Sequence, residues 1–249
     1  MKILITGGND GIGLETAKLL ATKGHTLTLV AKDPAKLETA LKSLSGSGHK
    51  TISADLSLKA EVDGLKQDID AQKYDAFINN AGVGKYGIFT EMPIHDQVVM
   101  MDINMKALTV LSYFYLSQAK KGDSLINISS FLGSTSSGGA AVYAATKGYV
   151  TILSESLWAE YKSKGIYVCC FCPGVTYTNF HNLSGVDKNK MPKAITQTPA
   201  EVAQEIVAAL EKRNNPRVVS GFINRLMLFA TRFITTKALV KAMAGSIKK

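Results

Sequence analysis

Lys2-Ile3-Leu4-Ile5-Thr6-Gly7-Gly8-Asn9-Asp10-Gly11-Ile12-Gly13-Leu14-Glu15-Thr16-Ala17 is the stretch that decides the fold. Its opening is apolar and β-branched, as a buried strand requires, and it runs straight into a glycine turn. Behind the turn, residues 12 to 24 carry apolar side chains at helical spacing. Glycines at 7, 11 and 13 allow a tight turn and a close approach of backbone to a pyrophosphate. The helix start that follows points its N–H groups and dipole at an anion. A glycine turn alone is often mere structure; strand, turn and helix in this order point to a dinucleotide cradle.

The same alternation continues outward. Strand-like runs are expected at Ile3 to Thr6, Thr26 to Ala31, Thr51 to Ala54, Ala76 to Ile78, Leu125 to Ile128 and Tyr167 to Cys172. Amphipathic segments lie near 12 to 24, 34 to 44, 58 to 71, 96 to 119 and 142 to 163. Repeated strand-helix alternation predicts an α/β, doubly wound parallel sheet (a Rossmann fold) with helices on both faces. At 249 residues and 46% hydrophobic, the chain suits a single domain. The polar motifs all follow strands: Gly7 to Gly11, Asn79 to Gly82, Ser129-Ser130 and Pro173-Gly174. Such residues converge on the crevice at the carboxyl edge of an open sheet.

Composition removes several function classes. Cys169, Cys170 and Cys172 crowd one apolar run, which suits buried strand thiols rather than a zinc site or a disulfide. The histidines at 25, 49, 95 and 181 show no metal-ligand spacing. Net charge is +9, but Arg217 to Lys249 holds seven basic residues and no acidic one, so the excess sits in the tail. No nucleic-acid module signature accompanies it, and no nucleic-acid partner is expected. The first core strand begins at once, without a leader, and no uncharged run approaches bilayer length. A cytoplasmic location is the expectation.

Tyr143 and Lys147 stand one helical turn apart, so both side chains share a face, where an ammonium near a phenol favours the phenolate. That pairing by itself arises by accident in a chain with nine tyrosines. It gains weight from Ser130 just past a strand, Asn104 inside the helical run Asp96 to Ala119, and Asn79-Asn80-Ala81-Gly82 after the fourth strand. With this set, residues 1 to 220 closely resemble the short-chain dehydrogenase/reductase family. The resemblance implies that Tyr143 is the general acid/base and that Lys147 lowers its pKa and holds the nicotinamide ribose. Ser130 would orient the substrate carbonyl, and Asn104 would support a water relay to the lysine. It further implies cofactor contacts at Gly7, Asn9, Gly11, Ile12, Gly13 and Lys32. Asp55 would touch adenine, with Leu56 beside it. Asn80, Ala81 and Gly82 would wall the site, and Pro173, Gly174 and Thr178 would lie near the nicotinamide. For Asp55, an N-cap of the next helix stands as the other reading.

Cofactor choice turns on Val30-Ala31-Lys32-Asp33 at the end of the second strand. In the family, alanine followed by a cation here resembles the NADP(H) pattern, with Lys32 against the 2′-phosphate. Asp33 leaves NAD(H) open, or caps the helix that starts at Pro34. Substrate contacts are expected from Gly84 to Ile88, Phe131 to Ser134 and Val175 to Met191, with residues 175 to 198 forming a lid. The extension 221 to 249 places Phe222, Leu226, Phe229 and Phe233 at helical spacing among cations. Packing over the substrate site or at a subunit contact is favoured for it, ahead of peripheral attachment to an anionic membrane. The resemblance also suggests a homodimer or homotetramer through the helices containing Asn104 and Tyr143. The expected activity is interconversion of a carbonyl and a secondary alcohol; a non-catalytic NADP(H)-sensing protein on the same fold is the alternative.

Overall fold

A computed structural model describes residues 1 to 178, 180 and 195 to 244. Seven parallel strands form one sheet: β1 (Lys2–Thr6), β2 (Thr26–Ala31), β3 (Lys50–Ser53), β4 (Ala76–Asn79), β5 (Ser124–Ile128), β6 (Tyr167–Cys172) and β9 (Arg217–Val219). Their spatial order is β3-β2-β1-β4-β5-β6-β9, so chain direction across the sheet reverses between β1 and β4. Single-domain α/β architecture with helices on both faces is therefore as expected from the sequence. A short parallel pair, β7 (Val175–Thr176) and β8 (Thr196–Gln197), stands apart.

Alternate strand residues feed two cores, as the pleat demands. Ile3, Ile5, Leu27, Leu29 and Ile126 face α1 (Gly11–Thr22), α2 (Pro34–Lys42) and α7 (Pro199–Lys212) through Leu20, Leu37 and Ile206. Leu4, Val30, Phe77, Leu125 and Val168 face the other way, against α3 (Lys59–Gln72), α5 (Leu108–Leu116) and α6 (Ala141–Lys162). Every residue of β5 and β6 is buried, which is why β6 reads as an unbroken apolar run rather than an alternation; in β5 the buried polar residues are Ser124 and Asn127.

Four features depart from the sequence reading. The run expected to be helical from Asp96 to Ala119 is α4 (Ile94–Met101), a π-helical segment Asp102–Ala107, then α5. Helix α7 was not anticipated, although Thr198 and Glu201 form a full capping box with Pro199 in the first turn. Strand β9 is three residues long and carries Arg217, too short to show alternation. The ends of the expected lid are not structureless: Val175 pairs with Thr196 and Thr176 with Gln197. Residues 181 to 194, the middle of that segment and the place of His181, lie outside the described residues.

Candidate active site

The reversal of strand order leaves a crevice between the ends of β1 and β4, and the chain reinforces it there. Thr6 Oγ1 accepts from the N–H groups of Asn80 and Ala81, both at 3.0 Å. Asn80 Nδ2 donates to the carbonyls of Thr6 (2.9 Å) and Gly7 (3.1 Å), so its amide braces the glycine turn from across the switch point. Gly7 and Gly11 take φ of 66° and 54°, a conformation L side chains rarely adopt. A Cβ on Gly13 would lie 2.1 Å from the Gly7 carbonyl oxygen, so only glycine lets helix and turn close. The result is a cradle of bare backbone at a helix N-terminus, a shape and polarity that fit a pyrophosphate. Asp10 caps α1 by accepting from Gly11 N–H at 2.7 Å.

Several expected cofactor residues pack their side chains into the protein interior. Ile12 and Leu56 turn their side chains into the cores, and Ala81 packs against the second core. Asn9 is half-buried in the turn. Thr178 reaches the cradle itself, its Cγ2 3.2 Å from where a Gly11 Cβ would stand. Pro173 accepts from Phe131 N–H at 2.8 Å, which ties the loop after β6 to the loop after β5. Gly174 leaves the space that Asn224 fills: a Cβ there would come 2.1 Å from Asn224 Nδ2.

At the end of β2, Lys32 Nζ and Asp55 Oδ2 form an ion pair at 2.6 Å, joining two residues that the sequence reading assigned to separate parts of a nucleotide. Burial pushes the Asp55 carboxyl up, but the hydrogen bonds from Lys32 and Ser57 outweigh it and hold its pKa below the ordinary range. Asp55 is not a helix cap: its Oδ1 accepts from Ser57 N–H and Oγ, and α3 begins only at Lys59. Asp33 is a cap, accepting from Ala35 and Lys36 N–H at 3.0 and 3.1 Å, so its carboxylate points into α2. Lys32 is left as the exposed charge on this rim, its side chain 77% accessible.

Farther along the crevice stand the four residues expected to carry chemistry. Tyr143 and Lys147 are both buried, on one face of α6. Lys147 Nζ donates to the Ile128 carbonyl at 3.0 Å and lies 5.9 Å from the centre of the Tyr143 ring. Ser130 draws the phenol's pKa down, and its Oγ accepts from Leu132 N–H at 3.2 Å. Its neighbour Ser129 is structural, bonded to the Lys147 carbonyl (2.7 Å) and Thr151 (2.8 Å). Burial governs the electrostatics. It pushes the Tyr143 phenol up to about 12 against the opposing effect of Ser130, and pushes Lys147 down to about 8. With burial dominant and Ser130 the opposing influence, the protein by itself favours the neutral phenol. A neutral phenol is a proton donor.

Asn104 sits in the π segment, a device frequent at functional sites. Its amide clamps Val83, with Oδ1 accepting from the N–H and Nδ2 donating to the carbonyl, both at 2.9 Å, and it reaches Thr146 Oγ1 at 3.1 Å. These partners are protein, so the side chain acts as a brace for the Gly82–Val83 wall. A Cβ on Gly82 would lie 3.2 Å from both Asn104 Oδ1 and Lys147 Nζ, which puts that glycine over the lysine.

Two aromatic rings crowd the phenol: Tyr86 at 5.6 Å and Phe180 at 5.8 Å between centroids. Phe180 Cζ stands 2.5 Å from where a Gly84 Cβ would be. The segment 84 to 88 thus borders the site as expected. Phe131 packs against the cluster of Cys170, Cys172 and Val219, as Leu228 does. The three thiols are buried and unbridged, as expected of strand cysteines. Nothing in the sequence marked Asn224, because its partner Gly174 is fifty residues away and the requirement is purely steric.

Comparisons with known proteins agree with this geometry. Residues 1–189 match the family described as short chain dehydrogenase. The very-long-chain 3-oxoacyl-CoA reductase of Mus musculus is 30% identical over 237 residues, covering 90% of this chain and 74% of that one. The 3-oxoacyl-[acyl-carrier-protein] reductase of Homo sapiens is 26% identical over 213 residues, covering 83% and 90%. Among solved structures, a short-chain dehydrogenase from Sphingobium yanoikuyae in complex with NADPH superposes with a TM-score of 0.81 at 25% identity, covering 100% of this chain and 98% of that one.

Proposed function

The chain belongs to the short-chain dehydrogenase family, and from that premise we propose that it is an NADPH-preferring oxidoreductase interconverting a carbonyl and a secondary alcohol, with Tyr143 as general acid/base. The observation that carries the reading is a buried neutral phenol flanked by a hydroxyl and an ammonium, in the same crevice as a backbone cradle fit for pyrophosphate. A bound nicotinamide supplies or accepts the hydride at the substrate carbon. Ser130 and Tyr143 share the position where the carbonyl oxygen would lie, and both donate as negative charge develops on it. Tyr143 passes its proton to that oxygen. Lys147, fixed by the Ile128 carbonyl, supports the phenolate left behind, and Asn104 keeps the Gly82–Val83 wall in place over the lysine.

The preference for NADP(H) over NAD(H) rests on Lys32, which is exposed and can exchange Asp55 for a 2′-phosphate. Asp33, turned into the helix cap, is withdrawn from the ribose hydroxyls. The NADPH complex of the Sphingobium relative supports the same choice. Assembly as a homodimer or homotetramer through α5 and α6 belongs to the proposal; Tyr113 and Ile152 stand exposed on these helices. A panel of carbonyl compounds and alcohols, followed at the nicotinamide absorbance, tests the function. Turnover with any member that disappears in Tyr143→Phe supports it, while a Tyr143→Phe protein that binds NADPH and still reduces carbonyls refutes the mechanism.

A further inference from the structure

Beyond the cradle and the phenol, the largest unexplained feature is the C-terminal pair of helices α8 (Phe222–Ala230) and α9 (Thr236–Ala244). We propose that their outer face is a docking surface for an anionic lipid bilayer. Helix α8 is anchored to the domain by its inner side. Asn224 is buried against Gly174, its Nδ2 donating to the Ser220 carbonyl at 2.8 Å, and Leu228 packs beside Phe131. Arg225 Nη1 donates to Glu205 Oε2 and to the Val219 carbonyl, each at 3.1 Å. The helix is therefore held in a fixed orientation, and its apolar stripe faces away from the core. Phe222, Leu226, Phe229 and Phe233 are 73%, 57%, 54% and 78% accessible, the last two stacked edge to face at 5.4 Å. A contiguous apolar ridge of this kind, presented by a helix anchored on its other side, marks an interaction surface.

Charge decides what covers it. Residues 217 to 249 contain seven cations and no anion. Arg217 and Arg225 are neutralised by Glu155 and Glu205, whereas Arg232, Lys237 and Lys241 have no carboxylate within ion-pair distance among the described residues. A second copy docked by a two-fold axis on this face would bring one all-cationic surface against another, an arrangement that repels. The surface wants apolar depth together with anions at its rim, which is the chemistry of a lipid headgroup layer over acyl chains. No described helix is long and apolar enough to cross a membrane, so the contact is peripheral. Because α8 touches Gly174 and Phe131, bilayer docking brings the loops beside Ser130 to the lipid surface. That would favour a lipophilic carbonyl substrate, a consequence that rests on the oxidoreductase reading; the docking itself does not.

Sedimentation of the full chain with equimolar phosphatidylglycerol and phosphatidylcholine vesicles, compared with phosphatidylcholine alone, tests the proposal without cofactor or turnover. The protein is expected to pellet with the anionic vesicles and to be released by high salt. Phe229→Ser with Phe233→Ser should weaken partitioning by more than about tenfold through lost apolar burial. Lys237→Glu with Lys241→Glu should do the same by more than about tenfold through charge, with all four substitutions on exposed positions. Failure of the full chain to pellet with anionic vesicles, or equal pelleting with both lipids, overturns it. So does a lipid-free dimer that the phenylalanine pair dissolves, which would make this face a subunit contact.

Discussion

Replacing Lys147 by methionine should abolish activity and yet stabilise the protein near neutral pH. Burial drops the ammonium from the ordinary 10.5 to about 8. At about 1.4 kcal/mol for each tenfold in the proton equilibrium, the buried charge costs roughly 3 kcal/mol wherever both folded and unfolded lysine are protonated. Methionine fills similar volume without that burden, but leaves the Ile128 carbonyl without its donor, a loss of about 1 to 2 kcal/mol. The net expectation near pH 7 is a gain of roughly 1 to 2 kcal/mol. Between pH 8 and 10.5 the unfolded lysine holds a proton that the folded one has released, so wild-type stability relative to the variant rises with pH. Above that window the folding burden is gone and the sign reverses, with the variant weaker by about 1 to 2 kcal/mol. Urea unfolding of both proteins without added nucleotide, at several pH values across the window, measures the difference. A variant less stable than wild type near neutrality, or a difference that does not change with pH, would refute the account of Lys147 as a buried, destabilising charge.

Lys32→Glu should weaken NADPH far more than NADH, by about tenfold or more in Kd, since it removes the exposed cation and sets two carboxylates side by side with Asp55. Titration with both cofactors checks this, and equal losses would mean that Lys32 does not meet a 2′-phosphate. Asn104→Ala should cost about 2 to 4 kcal/mol in urea unfolding, because the Val83 N–H and carbonyl lose the amide that satisfies both. An unchanged unfolding midpoint would show that the clamp on Val83 is not what Asn104 contributes.

The legible parts of this fold are those where local chemistry and tertiary context agree. Strands β2 and β6 appear with the expected ends, since a run of β-branched and apolar residues bounded by turn formers has one reading. Asp33 before Pro34 announces a helix cap in the sequence and is one in the structure. The π segment at Asn104 left no trace, because one inserted residue in a helical run keeps the apolar periodicity nearly intact. The alternative cap reading of Asp55 failed for a different reason: an acid after a strand and before a helix suits a cap, but its carboxylate closes a local turn on Ser57 and pairs with Lys32, which the packing of β2 on β3 brings alongside.

By itself the sequence determined which residues lie at strand ends and which side chains share a helix face, since both follow from periods of two and 3.6 residues along one chain. It thereby specified the doubly wound sheet and the glycine turn after its first strand, and put Tyr143 and Lys147 on one helix face; the roles of that pair and of Ser130 came from the family resemblance. Only the tertiary structure decided the proton state of the phenol, the Lys32–Asp55 pair, the Asn224 contact on Gly174 and the outward turn of Phe229 and Phe233. Each of these depends on burial or on a neighbour distant in the chain, and neither desolvation nor long-range distance is written in local spacing.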